Sequence, residues 1–392
     1  MIDMGNFKVC KDSENCGGCI YQGVKYEDQL SEKESLISEL MQQYEIDNCI
    51  YKGMVPAPLI EGYRNKMEYT FGDMEKGGEM TLGMHKKKHF MSIITVDECQ
   101  LVPEDFNVIL SKTLEFCKRK GYSFYHKKSH KGLLRNLIVR RGIRTDEILI
   151  NIVTSSQTHF DEDAYIELIK SLKLENHLVG ILHTINDNLA DAVNCDELKV
   201  LYGRDYYYEK IMGLVFKVSA FSFFQTNVEA VEKLYEDAIN LIPDFNNKIV
   251  YDLYCGTGTI SQVLAKGAKT VYGIEISEDA VKAAKENALS NGLNNCNFIA
   301  GDVLKKLDEV EEKPEVIVVD PPRMGMHPKV VDKLVKYNMD EIIYISCNPK
   351  TLFINLKQFD DYGYKPIYLK AYDNFPKTKH VECVCLLSKK GN

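Results

Sequence analysis

The sequence has no run approaching the about 18 consecutive apolar residues that a bilayer-spanning helix requires. Its first residues, MIDMGNFKVCKDSENC, lack the basic flank and apolar core of a secretion signal. These absences argue against membrane-spanning and secreted classes; the cytoplasm is the expected location and no membrane partner is expected. No internal repeat or low-complexity linker occurs, so domain boundaries have to come from changes of pattern. No obligate protein partner is evident. One long segment also lacks acids altogether: Tyr125 to Arg144 carries Lys127, Lys128, Lys131, Arg135, Arg140, Arg141 and Arg144 against none.

What is present is the composition of a soluble globular protein, 45% hydrophobic and 27% charged over 392 residues. That length suits two or three domains of about 100–200 residues each. The net charge of −8 would repel nucleic acid if it were evenly spread. The acid-free segment and the knot HKKKH at 85–89 show that it is not, although such runs form a solvated face as readily as a binding surface.

Twelve cysteines in a reducing compartment argue against a disulfide framework. Cys49, Cys117, Cys195, Cys296, Cys383 and Cys385 stand alone or in apolar runs and read as packing residues. Cys10, Cys16 and Cys19 do not, since VCKDSENCGGCIYQ spaces them C-x5-C-x2-C. Zinc and iron–sulfur clusters both accept four thiolates, so spacing leaves the choice open, although a five-residue gap is atypical of zinc fingers and ribbons.

Residues 24–45 show helical spacing of Tyr26, Leu30, Ile37, Leu40 and Met41. From about Gly62 to Tyr208 the chain reads mostly as strands and connections, with LRNLIVRRG and DEILINIVT as expected neighbours. From Lys248 apolar strands alternate with helical patterns: KIVYDLY, TVYGIE, NCNFIAG, EVIVVD, EIIYIS, KPIYLKAY and HVECVCLLS. This alternation implies an α/β fold, a doubly wound and largely parallel sheet, with a smaller strand-rich domain before it. Ligands in such sheets bind beyond the carboxyl ends of the strands.

Those strand ends carry chemistry. DLYCGTGT after the first strand offers Gly256 and Gly258 for a tight turn before a helix opens near Thr259. Glu275 ends the second strand, where a carboxylate can accept from both ribose hydroxyls of an adenosine; Asp302 in GDV could meet an adenine amino group. The fourth strand ends in VVDPPR. Together these resemble class I S-adenosylmethionine-dependent methyltransferases. Asp-Pro-Pro also occurs in adenine amino-methylating enzymes with an aromatic residue after the prolines, but Arg323 stands here and cannot supply an apolar face to a flipped base.

The fifth strand ends in SCNP, placing Cys347 at the mouth of the same cleft. Carbon 5 of uracil is a poor nucleophile until a thiolate adds to carbon 6, and a base must later remove the carbon-5 proton. FPKTKHVECV supplies Glu382, with His380 two residues earlier and, by strand alternation, expected on the same face. FSFFQTN, DLYCGTGT, GIE, DPPR, SCNP and FPKTKHVE stand in the order and rough spacing of the RNA uracil-5 methyltransferase family, and the resemblance covers nearly the whole chain. It implies Cys347 as nucleophile and Glu382 as base, with Gln225, Tyr254, Thr259, Glu275, Asp302 and Asp320 contacting S-adenosylmethionine or shaping its pocket. The sequence departs from many members at Asn374 and Lys377, where methionine and histidine are usual, which bears on substrate contacts.

The resemblance also answers the cysteine question. The branch that makes 5-methyluridine in 23S rRNA has this triple spacing and a fourth cysteine downstream holding a [4Fe-4S] cluster; Cys99 in TVDECQLVP is the matching position. RNA, 23S rRNA in particular, is the implied partner, with the basic stretch touching phosphates. The implied boundaries are 1–28 with 62–215 for an iron–sulfur and RNA-binding domain, and 29–61 with 216–392 for the catalytic domain. Only nine residues precede Cys10, where several members carry a small β-barrel. Three alternatives stand beside this reading. A tRNA uracil-5 methyltransferase shares the catalytic motifs, an RNA cytosine-5 methyltransferase would commonly want a cysteine in the DPPR loop, and a cluster-based, non-enzymatic RNA-binding sensor would need no Cys347.

Overall fold

The computed structural model describes residues 9–189, 195–242 and 245–389. The chain forms two units: Met1–Val24, Leu59–Lys210 and Lys217–Phe221 in one, Lys25–Pro58, Ile211–Phe216 and Ser222–Asn392 in the other.

The second unit is built on strands β1 (Ile249–Leu253), β2 (Thr270–Glu275), β3 (Cys296–Ala300), β4 (Val316–Val319), β5 (Glu341–Ser346), β6 (Tyr364–Tyr372) and β7 (Glu382–Lys389). Helices α1 (Thr259–Ala265), α2 (Glu278–Ser290) and α3 (Pro349–Asp360) connect β1 to β2, β2 to β3 and β5 to β6. The sheet order is β6-β7-β5-β4-β1-β2-β3, with Ile50–Val55 added at the β6 edge. Strands β1 to β5 are parallel. Their composition follows from that: VIVV of β4 is buried throughout, because helices cover both faces of a parallel sheet.

Strand β7 runs antiparallel to both β5 and β6. The amino end of β7 therefore lies at the carboxyl ends of β4 and β5. The register Ser346↔Cys383, carried one step further, sets Cys347 opposite Glu382. Helix Tyr26–Gln43 and the edge strand Ile50–Val55 belong to this unit, with Ile37 and Leu40 in the same core as Leu253, Val319, Tyr344 and Leu369. Full burial of an isoleucine such as Ile37 is worth about 1.5–3 kcal/mol.

The first unit has a seven-stranded sheet in the order His89–Thr95, Met80–Lys86, Lys66–Asp73, Leu134–Gly142, Glu147–Thr154, His177–Ile185, Glu197–Gly203. The pairing is antiparallel except between Glu147–Thr154 and His177–Ile185, which helix Glu162–Ser171 joins. The expected neighbours LRNLIVRRG and DEILINIVT do pair. The expectation of little but strands here misses two helices, Glu104–Arg119 and Glu162–Ser171. The first has Glu104 and Asp105 in its first turn, Lys118 and Arg119 in its last, and buries Phe106, Ile109, Leu110 and Phe116.

The acid-free segment is not one surface. Arg135 and Arg140 sit on the central strand Leu134–Gly142 and are 7% and 2% exposed. Arg135 donates to the carbonyls of Asn186 and Asn188 at 2.8 Å each and stacks 4.2 Å over Tyr125. Lys128, Lys131 and Arg144 remain exposed. Among the described residues no helix is long and apolar enough to cross a membrane.

Candidate active site

The turn after β1 is set by backbone strain. Tyr254, Gly256 and Gly258 all have positive φ, of 65°, 53° and 74°. At Gly258 a Cβ would meet the Phe298 ring at 2.7 Å, so only glycine lets α1 start so close to β3. A left-handed tyrosine costs about 1–3 kcal/mol and marks a shaped site. Tyr254 is pushed up to about 12, by burial first and then by the charge of Asp302. Asp302 caps the short helix Val303–Lys306, accepting from the Lys305 N–H. Glu275 holds the same turn: its oxygens accept from the N–H groups of Gly256 at 3.1 Å and Ser277 at 2.9 Å. Thr259 opens α1 and is buried.

Beneath the turn, Asp252 is fully buried and accepts from the Ser261 hydroxyl at 2.5 Å; burial raises its carboxyl to about 7. Asp320 follows β4, and burial together with Glu382 and Asp252 holds it well above the usual carboxylate range. The Gln225 amide donates to the Tyr235 hydroxyl at 3.1 Å, and Tyr235 feels the charges of Asp320, Asp252 and Glu382.

Cys347 and Glu382 share that environment. The Cys347 thiol is raised to about 11 by burial, then by Glu382 and Asp320; Arg323 opposes them. Burial raises Glu382 to about 7, again against Arg323. Arg323 is thus the cation that acts on both, a part the sequence reading missed because it weighed Arg323 only as a non-aromatic follower of the prolines. Its carbonyl accepts from the Asn348 amide at 2.9 Å and the Thr351 hydroxyl at 3.2 Å, which ties the DPPR loop to SCNP and the start of α3.

The loop before Glu382 hangs on helix Tyr26–Gln43. Lys33 and Asp373, 1% and 0% exposed, form an ion pair at 2.6 Å, and Lys33 also donates to the Phe375 carbonyl. Gln29, one turn earlier, accepts from the N–H of Lys377, itself at φ 64°. No sequence signal marked Lys33, a lone lysine in SEKES. His380 lies outside β7, which begins at Glu382, so alternation does not reach it; its ring stands edge-on to Phe375.

In the first unit Cys10, Cys16, Cys19 and Cys99 are half-buried free thiols lining one cavity of about 90 Å³ with Met67, Met84 and Val96. Polar ties bring the distant segments together: Lys11 pairs with Asp97 at 2.6 Å, and the Gln22 amide donates to Gln100. Burial raises the Cys99 thiol to about 12, with Cys19, Cys16 and Cys10 adding to it. Asp12 Oδ2 is buried in this wall without a partner. Among the described residues no three His, Cys, Asp or Glu side chains are grouped to hold one metal ion.

A doubly wound sheet in this strand order, with a glycine turn after β1 and acids at the ends of β2 and β4, defines a class I methyltransferase. The chain belongs to the tRNA (uracil-5-)-methyltransferase family, whose model matches residues 25–390. It is 49% identical to an RNA methyltransferase of Clostridium acetobutylicum and 48% to one of Clostridium tetani, in each case over 97% of this chain and 84% of the relative. Its fold is similar to that of the tRNA (uracil-54, C5)-methyltransferase of Pyrococcus abyssi in complex with S-adenosyl-L-homocysteine. The TM-score is 0.77 and the identity 26%, over 95% of this chain and 84% of that one. It is an S-adenosylmethionine-dependent RNA uracil-5 methyltransferase.

Proposed function

We propose that this enzyme methylates carbon 5 of a specific uridine in 23S rRNA, through an adduct between Cys347 and carbon 6, in the cytoplasm. The observation that supports the chemistry is that the charge of Glu382, a carboxyl poised at about 7, acts on the Cys347 thiol just past the last β5–β7 pair, Ser346↔Cys383. That value suits a general base at neutral pH.

Gln225, Tyr254, Thr259, Glu275, Asp302 and Asp320 are the residues that would hold S-adenosylmethionine, which supplies an electrophilic methyl group on a cationic sulfur when bound. Asp252, Asp320 and Glu382 make the pocket acid-rich, with Arg323 opposing the push on Glu382 and Cys347; such a pocket suits a cation. The target uridine leaves its stack, because its ring is out of reach inside folded RNA. Cys347 loses its proton to water and the thiolate Sγ bonds to carbon 6, the electrons of the carbon 5–carbon 6 double bond moving into an enolate that is nucleophilic at carbon 5. Carbon 5 takes the methyl group. Glu382 then removes the carbon-5 proton, and the electrons of that C–H bond restore the ring double bond as Sγ departs.

Cys10, Cys16, Cys19 and Cys99 would hold a [4Fe-4S] cluster. Four thiols arranged around a cavity suit a group that takes one thiolate per iron. No step above transfers an electron, so the group's role is to brace the RNA-binding unit. These cysteines favour 23S rRNA. The likeness to the Pyrococcus abyssi enzyme favours a second reading, a tRNA substrate. Mass mapping of 5-methyluridine in both RNAs from cells with and without the gene decides: loss from 23S rRNA supports the first, loss from tRNA the second, and loss from neither overturns both.

A further inference from the structure

We propose that the hairpin Met80–Thr95 carries a stacking platform for an unpaired RNA base, built on the exposed Phe90 ring and flanked by lysines that take the adjoining phosphates. This rests on the RNA-modifying reading above and assigns it a binding residue. Phe90 is 62% exposed and packs against His85 in a parallel stack, with centroids 4.6 Å apart and planes 8° apart. A large apolar ring held flat at a hairpin tip by a second ring is preorganised, so docking a base there loses little side-chain entropy. Lys127 Nζ lies 4.7 Å from the Phe90 centroid. A cation over an exposed ring is held more weakly than a stacked base, so a base displaces it and the ammonium turns to that base's phosphate.

Charge selects the occupant. Lys127 faces the ring, Lys128 follows it in the chain, and Lys86, Lys88 and His89 stand on the same hairpin as Phe90, in a chain whose net charge is −8; a polyanion with planar faces matches both features. Lys87 is committed elsewhere, its Nζ donating to the Ser13 carbonyl at 2.7 Å. That bond, with Gly17 N–H to the His85 carbonyl at 3.1 Å and Lys87 N–H to the Asn15 carbonyl at 2.7 Å, fastens the hairpin to the loop of Cys10, Cys16 and Cys19. The cysteine loop therefore sets the platform's position.

The test is equilibrium binding of a single-stranded oligouridylate of about 12 nucleotides, at several salt concentrations, to the full-length protein. Phe90→Ala should weaken binding by about 10-fold without altering its salt dependence, and Phe90→Tyr should restore it. Lys127→Ala should lower the slope of log affinity against log salt by about 1. Wild-type affinity in Phe90→Ala, an equal loss on duplex RNA, or no binding by the wild-type protein would overturn the proposal. Binding that depends on Phe90 in a protein that methylates no RNA would leave the platform standing and remove the methyltransferase reading.

Discussion

A cluster of four cysteines and one lone cysteine in this molecule sit in different surroundings. Cys10, Cys16, Cys19 and Cys99 of the first unit line a mostly apolar cavity between segments about eighty residues apart, with Met67, Met84 and Val96 for neighbours beside Asp12 and Arg64. Cys347, in the second unit, stands among carboxylates and an arginine at the converging ends of β4, β5 and β7. Burial raises the thiols of both Cys99 and Cys347, so that shift does not tell them apart. What does is the charge nearby. Sulfurs that raise one another suit a shared cationic group, whereas a thiol facing a base and a cation suits reversible bond formation.

Crossed substitutions break the comparison most sharply. Cys347→Ala should abolish turnover and RNA adducts while iron and sulfide content stays at the wild-type level. Cys99→Ser should lose the brown colour and iron of anaerobically purified protein while S-adenosylhomocysteine affinity is retained. A zinc-loaded, colourless wild-type protein would contradict the cluster assignment.

The buried Lys33–Asp373 pair supports only the catalytic side. Lys33→Met leaves Asp373 buried without its cation and should cost about 3–5 kcal/mol of stability in denaturant unfolding. Lys33→Met with Asp373→Leu should recover much of that, yet lower kcat because the loop before Glu382 loses its fixed turn. Iron content should not change in either.

A smaller effect separates the two regions by pH. Glu382, held at about 7, passes from mostly protonated at pH 6 to mostly ionised at pH 8. The single-turnover rate should rise by at least about 10-fold over that window, the share due to freeing the base, and by more where the rising thiolate fraction of Cys347 also limits the rate. The rate of iron loss should show no matching break.

Most of the catalytic unit was legible in the sequence because parallel strands announce themselves as short apolar runs with helices between, and their ends as Gly, Asp-Pro-Pro or Asn-Pro. The edge strand Ile50–Val55 was not, since it is short and follows a helix rather than continuing the alternation. Strand-end position, the chemistry and the family resemblance singled out Cys347 and Glu382, but their approach depends on β7 running antiparallel, which no local pattern encodes. Long-range polar contacts were equally hidden. Arg135 and Arg140 looked like surface charge until the central strand buried them, and Lys33 meets a partner 340 positions away.

The account turns on the division of labour between Cys347 and Glu382, and denaturing gel analysis of protein–RNA adducts tests it directly. With RNA and S-adenosylmethionine, Glu382→Gln should accumulate a denaturation-resistant adduct carrying the transferred methyl group and slow turnover by about 10²–10⁴-fold, while Cys347→Ala forms none. Free methylated product at the normal rate from Glu382→Gln, or an adduct in Cys347→Ala, would contradict the account.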